Sequence, residues 1–401
     1  METVKDLFIL ALLVIMFKKR VQIGHVFMVC AILFGLLHSL NPLNLLKIMG
    51  QTLIDPSTVV ILVALYLITL LERIMRKSGG QSKLVNGLMG LSGDPRVSMA
   101  ILPAIIGLLP SPGGARFSAP LVEEAAKNVQ LPPDQNAAIN YYYRHLWEYF
   151  LPLYPASLVA VQILGVRLET FVLVMLPFTP VTILSGFLLF RKFPKPSSLS
   201  PRTSNRTALK QISEGLAPIA AIMLLVLLLK MDILAALVLT ITVMFAYYKI
   251  NKRQIAPMLL AAFELRLLYM VFGAIYLREV FIASGSIDLL LASFQSLGLG
   301  PLQIAIIFPM IISLLTGVTI AGVTIALPVV VSLAGANDLL SLGSLALASI
   351  VIGIMLSPMH LCLLMSIEHF AADFIKTYRR LLLPETILLA FAIAYYYILP
   401  F

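Results

Sequence analysis

Apolar runs of near-membrane length recur along almost the whole chain, and about 20 apolar residues in a helix cross a 30 Å hydrocarbon core. Ten runs read as spans: Val4–Phe17, Val21–Leu40, Ser57–Met75, Asn140–Leu164, Glu169–Phe190, Ser213–Leu229, Asp232–Tyr248, Pro257–Ala283, Gly343–Phe370 and Leu381–Phe401. The first is short for such a core. Two further segments, residues 97–128 and 301–333, have an apolar arm, a broken centre and a second arm. The first centre is Pro110-Ser111-Pro112-Gly113-Gly114-Ala115-Arg116. The second is Leu315-Thr316-Gly317-Val318-Thr319, followed by Ala321-Gly322-Val323-Thr324. Proline and glycine stop a helix and release backbone N–H and C=O groups. At membrane depth such groups are tolerated only where they line a cavity or are buried in protein. Both segments therefore read as re-entrant hairpins, the first entering from the cytoplasm and the second from outside.

The span after each hairpin is interrupted as well, at Pro152-Leu153-Tyr154-Pro155 and at Ser357-Pro358-Met359-His360. A constant offset of 206 residues relates the two halves. It lays Ala64–Gly79 over Met270–Gly285, Leu102–Leu109 over Phe308–Leu315, Pro152 over Pro358 and Tyr154 over His360. Each half holds five crossings, an odd number, so the second copy sits upside down relative to the first. The sequence thus predicts an all-α integral membrane protein of about ten transmembrane helices plus two re-entrant hairpins in a two-fold inverted repeat. Residues 1–190 form the first repeat, 191–212 a basic linker and 213–401 the second repeat. Matching interruptions in two halves are the best sequence pointer to a binding site, and each hairpin tip is expected to face the break in the following span.

Composition points the same way. The chain is 60% hydrophobic and 12% charged, with a mean hydropathy of +0.98. A soluble protein is about half apolar and a quarter charged, so too few charges are present to cover a surface in water. The net charge of +10 does not read as a nucleic-acid footprint, because its placement follows loop sidedness. With residues 191–210 cytoplasmic, Lys18, Lys19, Arg20, Arg73, Arg76, Lys77, Arg253, Arg379 and Arg380 fall on the same side, and no Lys or Arg occurs between Glu279 and Ile375. That is the positive-inside pattern; it places both termini outside an inner or plasma membrane. The linker has a single aromatic, Phe193, too few to stack successive bases, so the expected partners are membrane lipids and a small-molecule anion, with no nucleic acid. Leu7–Phe17 has no basic flank or cleavage site and does not read as a signal peptide. Cys30 and Cys362 lie in apolar runs and read as buried small hydrophobes; no metal site is expected.

Ionisable groups inside spans are costly and are functional candidates by default. Arg144 and Glu148, four apart with His145 between them, pair on one helix face, either as a structural ion pair or as part of a site. His360 at its break binds an anion or carries a proton near neutral pH. Arg116, beside the first tip, meets an anionic substrate or snorkels to the cytoplasm. Glu264 with Arg266, and Arg278 with Glu279, steady their helices, and Glu123 and Glu124 lie at the cytoplasmic rim. The candidate binding residues are Ser111, Gly113, Gly114, Arg116, Ser118, Glu148, Tyr154, Thr316, Gly317, Thr319, Gly322, Thr324, Ser357 and His360. No Gly-X-Ser-X-Gly, HExxH or Walker A motif is present. The chain therefore does not read as an enzyme, has no cofactor, and would draw energy from a gradient of Na⁺ or H⁺.

Three strings, Asn140–Pro155 (NYYYRHLWEYFLPLYP), Gly107–Ala125 (GLLPSPGGARFSAPLVEEA) and Ser357–Phe370 (SPMHLCLLMSIEHF), resemble a prokaryotic ten-span membrane family of unknown function. That family is grouped in the ion transporter superfamily, beside gluconate permeases, citrate–metal symporters, C4-dicarboxylate carriers and sodium–proton antiporters. The resemblance covers nearly the whole chain. It implies an elevator-type carrier, usually a homodimer, whose two hairpins and two unwound helices form the site. In the dicarboxylate relatives the tips carry Ser-Asn-Thr sequences that hold sodium and carboxylate; here Ser111-Pro112-Gly113 and Thr316-Gly317-Val318-Thr319 stand there without the asparagine. The expected function is secondary active transport of a small organic anion, carboxylate-like, coupled to H⁺ or Na⁺. The alternatives are a cation–proton antiporter using His360 and Glu148, or a non-transporting membrane scaffold or enzyme.

Overall fold

The computed structural model describes residues 21–91, 94–108, 114–127, 131–191, 205–335 and 338–399, with a few isolated positions beside them. The expected span Val4–Phe17 falls largely outside these residues, as do Pro110, Ser111, Pro112 and Gly113 of the first hairpin tip and most of the linker. Among the described residues every regular element is a helix. The first half holds α1 (Ile23–Leu37), α2 (Pro42–Ile54), α3 (Pro56–Lys77), α4 (Gly80–Leu91), α5 (Pro95–Gly107), α6 (Ala115–Ala126), α7 (Pro133–Arg144), α8 (Pro155–Leu164), α9 (Leu168–Met175) and α10 (Phe178–Gly186). The second holds α11 (Asn205–Leu227), α12 (Ile233–Tyr247), α13 (Lys252–Ala261), α14 (Leu265–Ala283), α15 (Ser286–Ser296), α16 (Pro301–Thr316), α17 (Thr319–Leu333), α18 (Leu339–Met355), α19 (Leu361–Phe370) and α20 (Phe374–Ile398).

Local chemistry sets many of the starts. Asn41, Asp55, Asp94, Asp232, Asn251 and Asp373 each accept a first-turn N–H with the side-chain oxygen, satisfying a donor that the helix itself leaves open. Proline in the first turn of α2, α3, α5, α7, α8 and α16 supplies the right φ where its missing N–H costs nothing. Five helical runs are long and apolar enough to cross a membrane: Pro56–Lys77, Leu168–Phe190, Arg206–Leu227, Arg253–Ala283 and Phe374–Ile398. Leu224, Leu260, Leu265, Leu383 and Ile398 stand exposed on these runs, as side chains do where the surrounding solvent is lipid.

Several boundaries differ from those read off hydropathy. The span expected from Asn140 starts at Pro133, and α11 starts at Asn205, inside the expected linker. Polar first turns hide such starts; the one at Pro133 is buried by its partners, Asp134 pairing with Arg380 at 2.6 Å and Gln135 donating to the Leu189 carbonyl at 2.7 Å. The last helix begins at Phe374, capped by Asp373, rather than at Leu381. Residues 262–264 interrupt the run that ends at Ala283.

Helix starts recur at one spacing. Gly80 and Ser286, Pro95 and Pro301, Pro133 and Leu339, Pro155 and Leu361, and Leu168 and Phe374 open helices 206 residues apart. The connection between α16 and α17 is only Gly317 and Val318, so the two arms fold back on each other. At 16 and 15 residues and about 1.5 Å per residue, each arm is about 23 Å long, short of a hydrocarbon core of about 30 Å. The arms α5 and α6 are shorter still, 13 and 12 residues. The hairpin α16–α17 packs along α18, where Gly353 allows close approach: a Cβ there would sit 2.6 Å from the Met310 carbonyl oxygen, and small residues at helix crossings are how membrane helices gain contact. On the other side α1 lies along α14, and α3 along α12, so each long helix of the 206-related pair is matched with a helix of the other half.

Candidate functional site

The two interrupted helices meet at the centre of the molecule. Helix α7 ends at Arg144, and the chain turns irregularly through residues 145–154 before α8. This break is longer than the four residues expected at Pro152–Pro155. Side-chain donors hold it: Trp147 Nε1 to the Ala104 carbonyl at 2.6 Å, Tyr154 Oη to the Gly107 carbonyl at 2.6 Å, and Thr179 Oγ1 to the Leu146 carbonyl at 2.8 Å. Arg144 and Glu148 are therefore not on one helical face. The second break, between α18 and α19, covers residues 356–360. Ser357 Oγ donates to the Leu314 carbonyl at 2.6 Å, and His360 Nδ1 donates to the Gly317 carbonyl at 2.7 Å. Each break is thus bonded to the end of the first arm of the hairpin that precedes it.

Contacts also cross between the halves. The Thr319 hydroxyl, in the first turn of α17, hydrogen-bonds Glu148 Oε1. His145 Nε2 lies 3.1 Å from His360 Nε2. Asn140 accepts from Ser118 Oγ at 2.6 Å and donates to Ser366 Oγ at 2.8 Å, tying α6, α7 and α19 together.

A cavity of about 230 Å³ lies where these groups converge. Its polar end holds Arg144, His145, Glu148, Tyr154, Thr319, His360 and Cys362, and Glu72 of α3 also reaches it. Its apolar walls include Ile23, Leu65, Ile68, Leu153, Leu267 and Met270, so α1, α3 and α14 close the side opposite the hairpin. Three helices start at this cavity, α8 after Tyr154, α17 after Val318 and α19 after His360. None of the three has a side-chain cap, leaving first-turn N–H groups and a partial positive charge of about 0.5 per helix at its N-terminus. Arg144 is buried beside them, with its guanidinium against Gly114.

Of the residues singled out in the sequence, the structure gathers Glu148, Tyr154, Gly317, Thr319 and His360 in this cavity. Ser357 positions the break behind it. Thr316 and Thr324 bond carbonyls of their own helices, those of Ile312 and Ile320, each at 2.8 Å, Gly322 packs against Ser313 and Ile350, and Ser118 serves Asn140. Gly114 borders Arg144, Arg116 is exposed, and Ser111 and Gly113 lie outside the described residues. Among the flanking ion pairs, Arg278 does meet Glu279, whereas Glu264 reaches Arg73 on α3 at 2.9 Å. Glu123 meets His369 at 2.9 Å.

The candidate residues lacked Glu72, Cys362, which read as a buried small hydrophobe, and Arg144 and His145, which were named only beside Glu148. The signal available for the cysteine was His360-Leu361-Cys362 directly after a helix break; its other neighbour, His145, is 215 residues from His360. Donor atoms of His145, His360 and Cys362 all lie within 4.8 Å of one another, a set able to ligate a metal ion, whereas Cys30 is buried and belongs to no such set among the described residues. No curated protein matches the sequence. A family model described as "Protein of unknown function (DUF401)" matches residues 2–399, nearly the whole chain, and the protein belongs to that family.

Proposed function

We propose that this protein is a secondary active carrier of a small organic anion, a carboxylate or a close analogue, coupled to H⁺ or Na⁺. One observation carries the proposal: three uncapped helix N-termini and the buried Arg144 converge on one cavity. Oriented N–H groups and a guanidinium in a low-dielectric pocket favour an anion far more than they do in water. At about 230 Å³ the cavity is below the roughly 300–1,000 Å³ of drug-sized sites, so the occupant is small.

The architecture we propose is a pair of inverted repeats with ten spans, in the manner of the ion transporter superfamily that the three strings resemble. The recurrence of helix starts at 206 residues and the short hairpin arms support it. The cavity lies between the unit of hairpins and broken helices and the group α1, α3 and α14. In the elevator-type carrier that the resemblance implies, the first unit would move against the second and take the site with it.

The test is uptake of labelled mono- and dicarboxylates by proteoliposomes under an imposed Na⁺ or pH gradient. Accumulation by the wild type, lost in Arg144→Gln, is the expected result. No accumulation under either gradient by a monodisperse, folded protein overturns the proposal, and sodium efflux without anion movement replaces it with cation–proton antiport.

A further inference from the structure

The two histidines at the centre of the cavity have their tautomers set by the backbone. His145 Nδ1 is 2.7 Å from the Tyr141 carbonyl oxygen, and His360 Nδ1 is 2.7 Å from that of Gly317. A carbonyl only accepts, so both Nδ1 atoms carry hydrogen, and in the neutral rings both Nε2 atoms carry lone pairs. Those lone pairs face each other across 3.1 Å. Such a contact is repulsive unless a proton or a metal ion bridges the two nitrogens.

Two more donors complete the setting. Cys362 Sγ and one ring nitrogen of each histidine all lie within 4.8 Å of one another. Glu148 Oε2 is buried, has no hydrogen-bond partner among the described residues and stands 4.0 Å from His145 Nε2. Its sister oxygen is fixed by the Thr319 hydroxyl. All four residues line the cavity, which gives an entry path.

We propose that His145, His360 and Cys362 form a binding site for a divalent transition-metal ion of the Zn²⁺ class, with the Glu148 carboxylate beside it as a charge partner. At metal–nitrogen distances of about 2.0–2.1 Å a tetrahedral edge between two nitrogens is about 3.3 Å, close to the separation found. Histidines that ligate metal characteristically donate the other ring N–H to a carbonyl, as both do here. A thiolate and a carboxylate neutralise a dication, the thiol proton leaving as the metal binds. Thiolate with two imidazoles selects Zn²⁺, Co²⁺ or Cu²⁺ over Mg²⁺, Ca²⁺ or Na⁺. His145 and Glu148 come from the first break, and His360 and Cys362 from the second break and the helix it opens, so the ion joins the two halves at their meeting point. The inference goes beyond the carrier proposal and rests on the donor geometry alone.

The experiment is titration of Co²⁺ into the chelator-stripped, full-length protein in detergent, with Zn²⁺ competition and folding followed by size exclusion and circular dichroism. One Co²⁺ per chain is expected, with intense tetrahedral ligand-field bands and a thiolate-to-cobalt charge-transfer band, both displaced by Zn²⁺. Cys362→Ser removes the charge-transfer band. Thr319→Val weakens binding by roughly 10–100-fold, the usual effect of losing an outer partner, and His360→Gln by more. Absence of saturable binding in the wild type overturns the site, as does a spectrum unchanged in both Cys362→Ser and His360→Gln. The wild-type titration decides even where a variant fails to fold. Anion uptake is not its readout, so failure here and failure of the carrier proposal are separate results.

Discussion

Gly317, the turn of the second hairpin, offers a sharp test of how that hairpin docks. It caps α16 with φ +66°, and a Cβ there would stand 2.9 Å from His360 N, 2.9 Å from Met359 C and 3.1 Å from Ser357 Oγ. Gly165 caps α8 with φ +64° and has nothing within 4 Å of the same position. Alanine at either site pays the left-handed backbone strain, about 1–2 kcal/mol. Alanine at Gly317 must also push backbone atoms of the second break aside, since real Cβ contacts do not close to 2.9 Å, and overpacking of this kind costs about 1–3 kcal/mol more. Gly317→Ala is therefore expected to lower stability by about 2–5 kcal/mol and Gly165→Ala by about 1–2 kcal/mol, read from denaturant titrations of the two purified variants in one detergent. Because the break it displaces carries His360, Gly317→Ala should also lose anion uptake in proteoliposomes while Gly165→Ala retains it. Equal destabilisation and equal uptake in the two variants refute the docking of the hairpin turn on the second break.

Gly114 has an ordinary helical backbone, φ −58° and ψ −19°, and the group its Cβ would meet is the end of the flexible Arg144 side chain; Gly114→Ala should fold with near-wild-type stability yet lose anion uptake, and retained uptake would detach Arg144 from binding. Asp94 caps α5, and its hydrogen bonds to the Arg96 guanidinium, with the Arg96 N–H, hold its carboxyl below the ordinary carboxylate range. A lowered folded value means stability present at neutral pH and lost as pH falls through that value. Asp94→Ala should therefore cost about 0.5–1 kcal/mol at pH 7, the low end for a cap because the pair is solvent-exposed, with the difference shrinking in acid; an acid-independent difference would contradict this. Single cysteines at Arg206 and Gly335 should react with an impermeant thiol reagent from opposite faces of the membrane, and same-side labelling would contradict the inverted arrangement.

The sequence by itself determined that the chain is helical and suited to lipid, because 60% hydrophobic content with 12% charge cannot cover a surface in water. It also located the turn of the second hairpin and the neighbourhood of both helix breaks, because proline and glycine act through the local backbone and leave their mark within a few residues. Gly317, Pro155 and Ser357 stand where such marks predicted. Helix starts with polar first turns, as at Pro133 and Asn205, escaped the hydropathy pattern, since only Arg380 and the Leu189 carbonyl make the turn at Pro133 stable. The site itself was decided by tertiary structure. Arg144 and Glu148 looked like an i, i+4 pair until the helix ended between them. His145 acquires meaning only from His360, 215 residues away, and Glu148 only from Thr319, 171 residues away. Contacts across such distances depend on how two halves fold against each other, and no local spacing in the chain records them.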